Sequence, residues 1–346
     1  MTLPMIAGFE QDILDQPDAL ASFASRPLPT GIASLDLTQF DRIIMTGMGS
    51  SDYVTIPLEL LLARRGMPIW RLQTSRLLET LEMITDRTLL WITSQSGRSG
   101  EVVALLDRLS AGRRAIVVAV TNDPESPLAR AADHVIELHC GKEATVSSKS
   151  YLNTLAVIHR VCARVEGRAD EAAVNDVRTL AGELRTAIEA PPRIISVVAE
   201  RALAASNPRF ALIGSGPDAA TALTGALILK EASKVAAEGY IGGAFRHGPL
   251  ELAGPGLTAF LFGSGTDEDL TLRQLVQDLS KTGSTVVTIT PRNYDGAEHI
   301  AIPSHPVCSR MAHAMIVVQH LSVSLARQAG FVPGEFRYGQ KITALL

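Results

Sequence analysis

The chain has 346 residues, 46% hydrophobic and 20% charged, the make-up of a globular protein long enough for two domains. Thirty-two basic and 36 acidic residues leave a net charge of −4 with no long basic block, which argues against a nucleic-acid surface as the main function. The three cysteines (Cys140, Cys162, Cys308) are widely spaced, no apolar run reaches the roughly 18 residues of a membrane span, and no signal-peptide pattern opens the chain, so a cytoplasmic protein without membrane contact is expected.

Short apolar runs alternate with longer helical patterns along the first half. Ile43–Met45, Pro68–Leu72, Leu89–Ile92, Ala115–Val120 and Val135–Leu138 read as strands, and Asp12–Ser25, Ser51–Arg65, Ser99–Ser110, Ser126–Ala132 and Ser148–Val165 as helices, several opened by a capping serine. Continuous apolar strands separated by helices predict an α/β fold with a parallel sheet covered on both faces. Helical segments around Glu171–Ala190 and Arg193–Ala205 follow, with a break expected at Pro191-Pro192. The pattern then returns. Phe210–Gly214, Ala259–Gly265 and Thr285–Thr290 resemble the first, third and fourth strand regions at nearly one offset of about 168 residues, which predicts two tandem copies of one unit. The expected divisions are residues 1–190, 191–332 and a closing tail, 333–346.

Chemistry concentrates where strands end. Ser94-Gln95-Ser96-Gly97-Arg98-Ser99 joins an apolar strand to a helix start, where free N–H groups and the positive end of the helix dipole favour an anion. It is neither a Walker A loop nor a G-x-G-x-x-G turn, so the phosphate of a small metabolite is the better match. Gly47-Met48-Gly49-Ser50-Ser51 ends the first strand in the same way and reads either as a plain capped turn or as a partner loop at the same sheet edge. Ala144–Ser150 is a third hydroxyl-rich helix entry, equally readable as an N-cap by Ser147 or Ser148 or as a ligand contact. The second copy has Asp267, Glu268 and Asp269 where the first has serines, so only the first half is expected to hold phosphate.

Other candidates are less specific. Glu231 follows the apolar run Gly225–Leu229 and reads as a general base or as a solvated helix position; His247 lies in a Gly-Pro turn and could donate a proton. His134, His139 and Cys140 match no common zinc spacing, and neither a metal nor a cofactor is called for.

These motifs together resemble the sugar isomerase (SIS) superfamily, and within it the isomerase half of the glutamine–fructose-6-phosphate aminotransferases. Gln11–Pro17 is similar to K-E-I-x-E-Q-P, Gly49-Ser50-Ser51 to G-T-S, Ser94–Ser99 to S-Q-S-G-E-T and Ser147-Ser148-Lys149 to S-T-K. Lys230-Glu231 and His247–Leu250 match K-E and H-G-P-L at the same separation, and Lys341 matches a catalytic lysine of the closing tail. The resemblance implies two tandem three-layer α/β/α domains with flavodoxin-like sheets. It implies that Gly49, Ser50, Ser51, Ser94, Gln95, Ser96 and Ser99 bind the phosphate, and that Thr145 and Ser147 contact the sugar. Glu231 would transfer a proton beside the carbonyl, His247 would assist ring opening across a homodimer with a shared site, and Lys341 would lie over the open-chain sugar. Two departures bear on the reaction. No glutaminase part is expected before this half, and Ile228 stands where the synthase has a lysine. The expectation is therefore a phosphosugar isomerase, or an amino-sugar-phosphate deaminase that isomerises; a non-catalytic sugar-phosphate sensor is the alternative.

Overall fold

In a computed structural model, residues 8–110, 112, 115–266 and 269–344 are described. The chain runs α1 (Gly8–Leu14), α2 (Gln16–Ala24), α3 (Thr30–Ala33), β1 (Arg42–Gly47), α4 (Ser50–Tyr53), α5 (Ile56–Arg64), β2 (Ile69–Gln73), α6 (Thr74–Leu78), β3 (Thr88–Thr93) and α7 (Gly100–Ser110). It continues through β4 (Ile116–Thr121), α8 (Pro127–Ala131), β5 (His134–Glu137), α9 (Lys149–Val165), α10 (Asp170–Glu189) and α11 (Ile194–Ala204). The second copy comprises β6 (Arg209–Gly214), α12 (Ala219–Ser233), β7 (Ala237–Ile241), β8 (Leu257–Phe262), α13 (Leu270–Ser280), β9 (Thr285–Thr290), β10 (Glu298–Ala301) and α14 (Val307–Gln328).

Two five-stranded sheets result, ordered β2-β1-β3-β4-β5 and β10-β9-β8-β6-β7, and every pairing is parallel. The fold is α/β, two tandem units each built on a parallel sheet, as expected. All six residues of β3 and of β8 are buried, because helices cover both faces. In the first sheet Ile44, Leu90, Ile92 and Ala119 pack with Val102 and Leu105 of α7. The alternate residues Ile43, Met45, Leu89 and Trp91 line a narrow apolar cavity with Leu58 and Leu62 of α5 and Val161 of α9. In the second sheet Ala211, Ile213, Ala259 and Leu261 pack with Leu272, Leu275 and Leu279 of α13.

The chain divides into two compact units that cut across the divisions read along the sequence. Residues 18–142, 149–178 and 338–344 make one; residues 8–17, 143–148 and 179–337 make the other. Composition marks breaks along the chain, whereas packing decides membership. Gln16 of α2, for instance, exchanges amide hydrogen bonds with Gln319 of α14 at 2.8 and 3.0 Å.

Several boundaries differ from expectation. The helix expected over Asp12–Ser25 is two, α1 and α2, with Pro17 within the first turn of α2. The helix expected over Ser51–Arg65 is broken at Val54-Thr55, with Pro57 in the first turn of α5, the one place a proline costs no helical bond. Ser126 caps α8 as expected, accepting the Ala129 N–H at 3.2 Å. At the entry to α9, the Ser148 N–H and Oγ both donate to Glu143, at 2.8 and 3.1 Å.

One feature of α14 sets a pH dependence. His320 Nε2 is buried without a hydrogen-bond partner, while the ring also bonds the Ile188 backbone, and burial lowers the pKa below the usual histidine value. His159 is lowered with the same first cause, partly offset by Asp176 at 2.9 Å. A depressed histidine pKa means the unfolded chain binds the proton better, so stability is full above about pH 7 and falls as pH drops through about 6.5. We expect the Tm to fall between pH 7.5 and 5.5 and the fall to be shallower in His320→Leu; an unchanged pH profile in that variant would contradict the assignment.

Candidate functional site

The serine loop leaves the carboxyl end of β3, and the Gly49–Ser51 loop leaves β1 beside it. Between these two strands the chain reverses the direction in which it adds strands, so the flanking helices lie on opposite faces and the loops part. Within the loop, Gly97 N–H donates to Ser94 O and Ser94 Oγ at 3.1 and 3.2 Å, and Arg98 N–H donates to Ser96 Oγ at 3.2 Å. Asn122 N–H anchors Gln95 O at 2.9 Å. The N–H groups of Gln95, Ser96 and Ser99 have no acceptor among the described residues. Ser94 is buried, Gln95, Ser96 and Ser99 half-buried, so the loop presents donors from a closed backbone. Gly97 has φ +60°, and a Cβ there would lie 2.2 Å from Ser126 Oγ and 2.6 Å from Ser126 Cβ. Ser126 thus both caps α8 and walls the underside of the loop. Arg98 turns away to Asp123, with Nε and Nη2 at 3.0 and 2.7 Å from Oδ2, and these hydrogen bonds hold the Asp123 carboxyl below the usual range.

On the partner loop, Gly49 has φ +54° and its carbonyl accepts from Asp52 and Tyr53 N–H, starting α4. Ser50 and Ser51 are half-buried. Asp52, directly after them, is buried, pairs with Arg71 Nη1 at 2.5 Å and keeps Oδ1 without a partner; Arg71 Nε also holds Glu59 at 2.6 Å. Burial pushes the Asp52 carboxyl up against the opposing pull of Arg71. Sequence reasoning missed this ion-pair support, because a basic residue inside an edge strand carries no spacing signal. In the same unit the tail reaches the loop: Gly100 N–H, the first of α7, donates to Thr343 O at 2.9 Å. That bond brings the stretch carrying half-buried Lys341 to the anion loop.

The other unit gathers the remaining candidates. The Thr145 loop is held by Asp12 Oδ2, which accepts Ala144 N–H at 2.6 Å, and by Glu143 as described. Thr145 Oγ1 is buried with no hydrogen-bond partner, a polar group left for something else to satisfy. Ser147 is half-buried nearby. Gly334 packs against this loop, where a Cβ would stand 3.1 Å from Thr145 Oγ1; its N–H donates to Ala232 O at 3.2 Å, next to Glu231. Thr145 and Ala232, the sequence neighbour of Glu231, therefore both meet Gly334 of the tail. Ile228, one turn before Glu231, is wholly buried. His247 is exposed at the turn after Phe245, apart from these contacts.

The loop of the second copy is built differently. Asp267 and Glu268 lie outside the described residues, but Asp269 fills the corresponding place. Its Oδ2 accepts Ser264 N–H at 3.1 Å and lies 2.2 Å from where a Cβ on Gly263 would be. Behind it Arg310 makes a buried bidentate pair with Asp218, at 3.0 and 2.8 Å. Burial raises the Asp269 carboxyl, and Asp218 adds to the rise. An internal carboxylate stands where the first copy leaves donors open. Among the described residues no group of three or more His, Cys, Asp or Glu could hold a metal, and no helix is long and apolar enough to cross a membrane.

A tandem pair of parallel α/β units of this strand order defines a fold class, and comparison with known proteins agrees. The SIS domain model matches residues 36–163 and 202–300, so the chain belongs to the SIS-domain family. The glutamine–fructose-6-phosphate aminotransferase of Pyrococcus horikoshii is 31% identical over 252 residues, 71% of this chain and 42% of that protein. The chain thus spans about half the length of the curated relatives it matches. Among solved structures, the C-terminal domain of the Francisella tularensis glucosamine-fructose-6-phosphate aminotransferase superposes with TM-score 0.83 at 19% identity, covering 96% of this chain and 99% of that one. Glucosamine-6-phosphate deaminase of Thermotoga maritima superposes with TM-score 0.74 at 20% identity, covering 98% and 100%. At these identities the superpositions show the fold.

Gly97→Ala tests the loop directly. The left-handed backbone alone costs about 1–3 kcal/mol in a non-glycine residue, and the clash with Ser126 adds to it. We expect hexose-phosphate affinity, measured by calorimetry, to drop at least about tenfold, equivalent to about 1.4 kcal/mol, with the circular dichroism spectrum retained.

Proposed function

We propose that the chain is a phosphosugar isomerase acting on a sugar phosphate or amino-sugar phosphate, with deamination as a coupled outcome for an amino sugar. The observation that carries this reading is the open anion loop. Three backbone N–H groups without acceptors among the described residues and the hydroxyls of Ser50, Ser51, Ser94, Ser96 and Ser99 sit at a topological switch point, and Gly49 and Gln95 would complete the cradle. Phosphate binding there fixes one end of the sugar. Thr145, with its orphaned hydroxyl, and Ser147 would satisfy sugar hydroxyls. Glu231 would remove the proton from the carbon beside the carbonyl and return it to the neighbouring carbon, so the electron pair moves through an enediol and no net oxidation occurs. His247, exposed on its turn, would serve ring opening in a homodimer with a shared site, and Lys341 would cover the open-chain sugar.

Ile228 supports an isomerase or deaminase over a synthase. Its side chain is wholly buried and apolar, so it supplies no ammonium where the related synthases place one. Isomerisation needs only proton transfer, and deamination adds water and releases ammonia.

The test is turnover of a panel of hexose and hexosamine 6-phosphates, read by ketose formation and ammonia release. Glu231→Gln should lower kcat by about 10²–10⁴-fold, the worth of a positioned general base, with the Kd for substrate changed little. Undiminished kcat would sink the role of Glu231. Tight binding without either product would instead define a sugar-phosphate-binding module.

A further inference from the structure

We propose that Lys234 is a positioning residue that clasps the C-terminal tail to the end of the helix bearing Glu231; its effect on turnover rests on the isomerase reading above. Helix α12 ends at Ser233, and Lys234 follows in the left-handed conformation, φ 61° and ψ 21°, with its N–H on Lys230 O at 3.2 Å. Glycine suits that position best, since a side chain there meets the preceding turn. A lysine accepts strain, so its side chain has a task to perform.

That task is visible in its contacts. Lys234 Nζ donates to Glu231 O and to Glu335 O, the latter at 2.6 Å. The last carbonyls of a helix lack internal partners, and here the tail and this ammonium provide them: Gly334 N–H takes Ala232 O while Lys234 takes Glu231 O. The positive charge also meets the negative end of the helix dipole. Burial and the Arg337 charge lower the pKa of this ammonium, while Glu231 and Glu335 oppose the shift, in keeping with a group enclosed by its partners.

The tail root is pinned around the clasp. Gly334 has φ +76°, and a Cβ there would lie 2.4 Å from Phe9 Cβ, so no other residue fits between α1 and the Thr145 loop. Arg337 lies over the Phe331 ring at 4.3 Å. Of these contacts, only Lys234 ties the tail to the backbone of Glu231 itself. A shift at this clasp therefore displaces the Glu231 end of α12 and the root of the tail together.

Lys234→Gly separates this role from folding, because it removes the ammonium while relieving the backbone. We expect an unchanged or higher Tm, together with cleavage by trypsin after Arg337, beside fully exposed Tyr338, accelerated by about fivefold or more as the tail opens more often. In the same variant kcat on the phosphosugar panel should fall about tenfold or more, through misplaced catalytic groups, with a smaller change in KM. Lys234→Arg should restore protection of the tail. Tail cleavage at the wild-type rate in Lys234→Gly would overturn the clasp, and accelerated cleavage with unchanged kcat would overturn its role in positioning. Should the wild-type protein turn over no phosphosugar, the isomerase reading fails, while trypsin alone still judges the clasp.

Discussion

A parallel sheet buried on both faces has no surface on which to place polar chemistry, and both sheets of this chain are of that kind. Every residue of β3 and β8 is buried, so donors and charges gather where the strands end. The polar groups of the candidate site follow from this constraint. The serine loop and the Gly49 loop lie at neighbouring strand ends, where the switch in strand order spreads their helices apart. Glycines sit at crowded points beside these loops, Gly97 against Ser126 and Gly334 against Phe9 and Thr145. In each case a missing methyl group lets one segment lie close against another.

Support for the loops comes from charges placed one layer back. Arg71 bridges Asp52 and Glu59 beneath the Gly49 loop, and Arg98 is occupied by Asp123. These pairs turn the cations beside the loops toward carboxylates, half-buried for Arg71 and exposed for Arg98, and leave the loops to neutral hydroxyls and backbone N–H groups. Such donors suit an anion held in a fixed geometry, and the ion pairs tie the loops to neighbouring elements of the same unit. The arrangement in the Thr145 loop is similar in kind, with Asp12 and Glu143 taking backbone N–H groups while the Thr145 hydroxyl stays unsatisfied.

Much of this was legible in the sequence, for identifiable reasons. The central strands announced themselves as unbroken apolar runs, and the serine loop by its position between such a run and a helix start. Edge strands were harder. β7 contains Glu238 and Gly239, and β10 is four residues beginning with Glu298, so neither shows a strand's apolar run. α14 escaped because it is buried on nearly all sides, which erases the one-sided periodicity that marks a surface helix. α12 is similar, and Glu231 at its end could not be ranked from its neighbours alone. Long-range pairs such as Arg310–Asp218 join residues from distant segments, and no local pattern encodes them.

The Asp269 carboxylate makes the two copies of the duplicated architecture unequal. Two copies of an anion-binding unit would ordinarily offer two places for phosphate, competing for the same metabolite. Here the second copy carries its own anion, bonded to Ser264 N–H and crowded against Gly263, so its loop is occupied from the moment it folds. The second-copy loop is thereby filled from within, and of the two it is the first-copy loop that keeps backbone donors without acceptors among the described residues. Glu231 and His247 belong to the same unit as this second sheet.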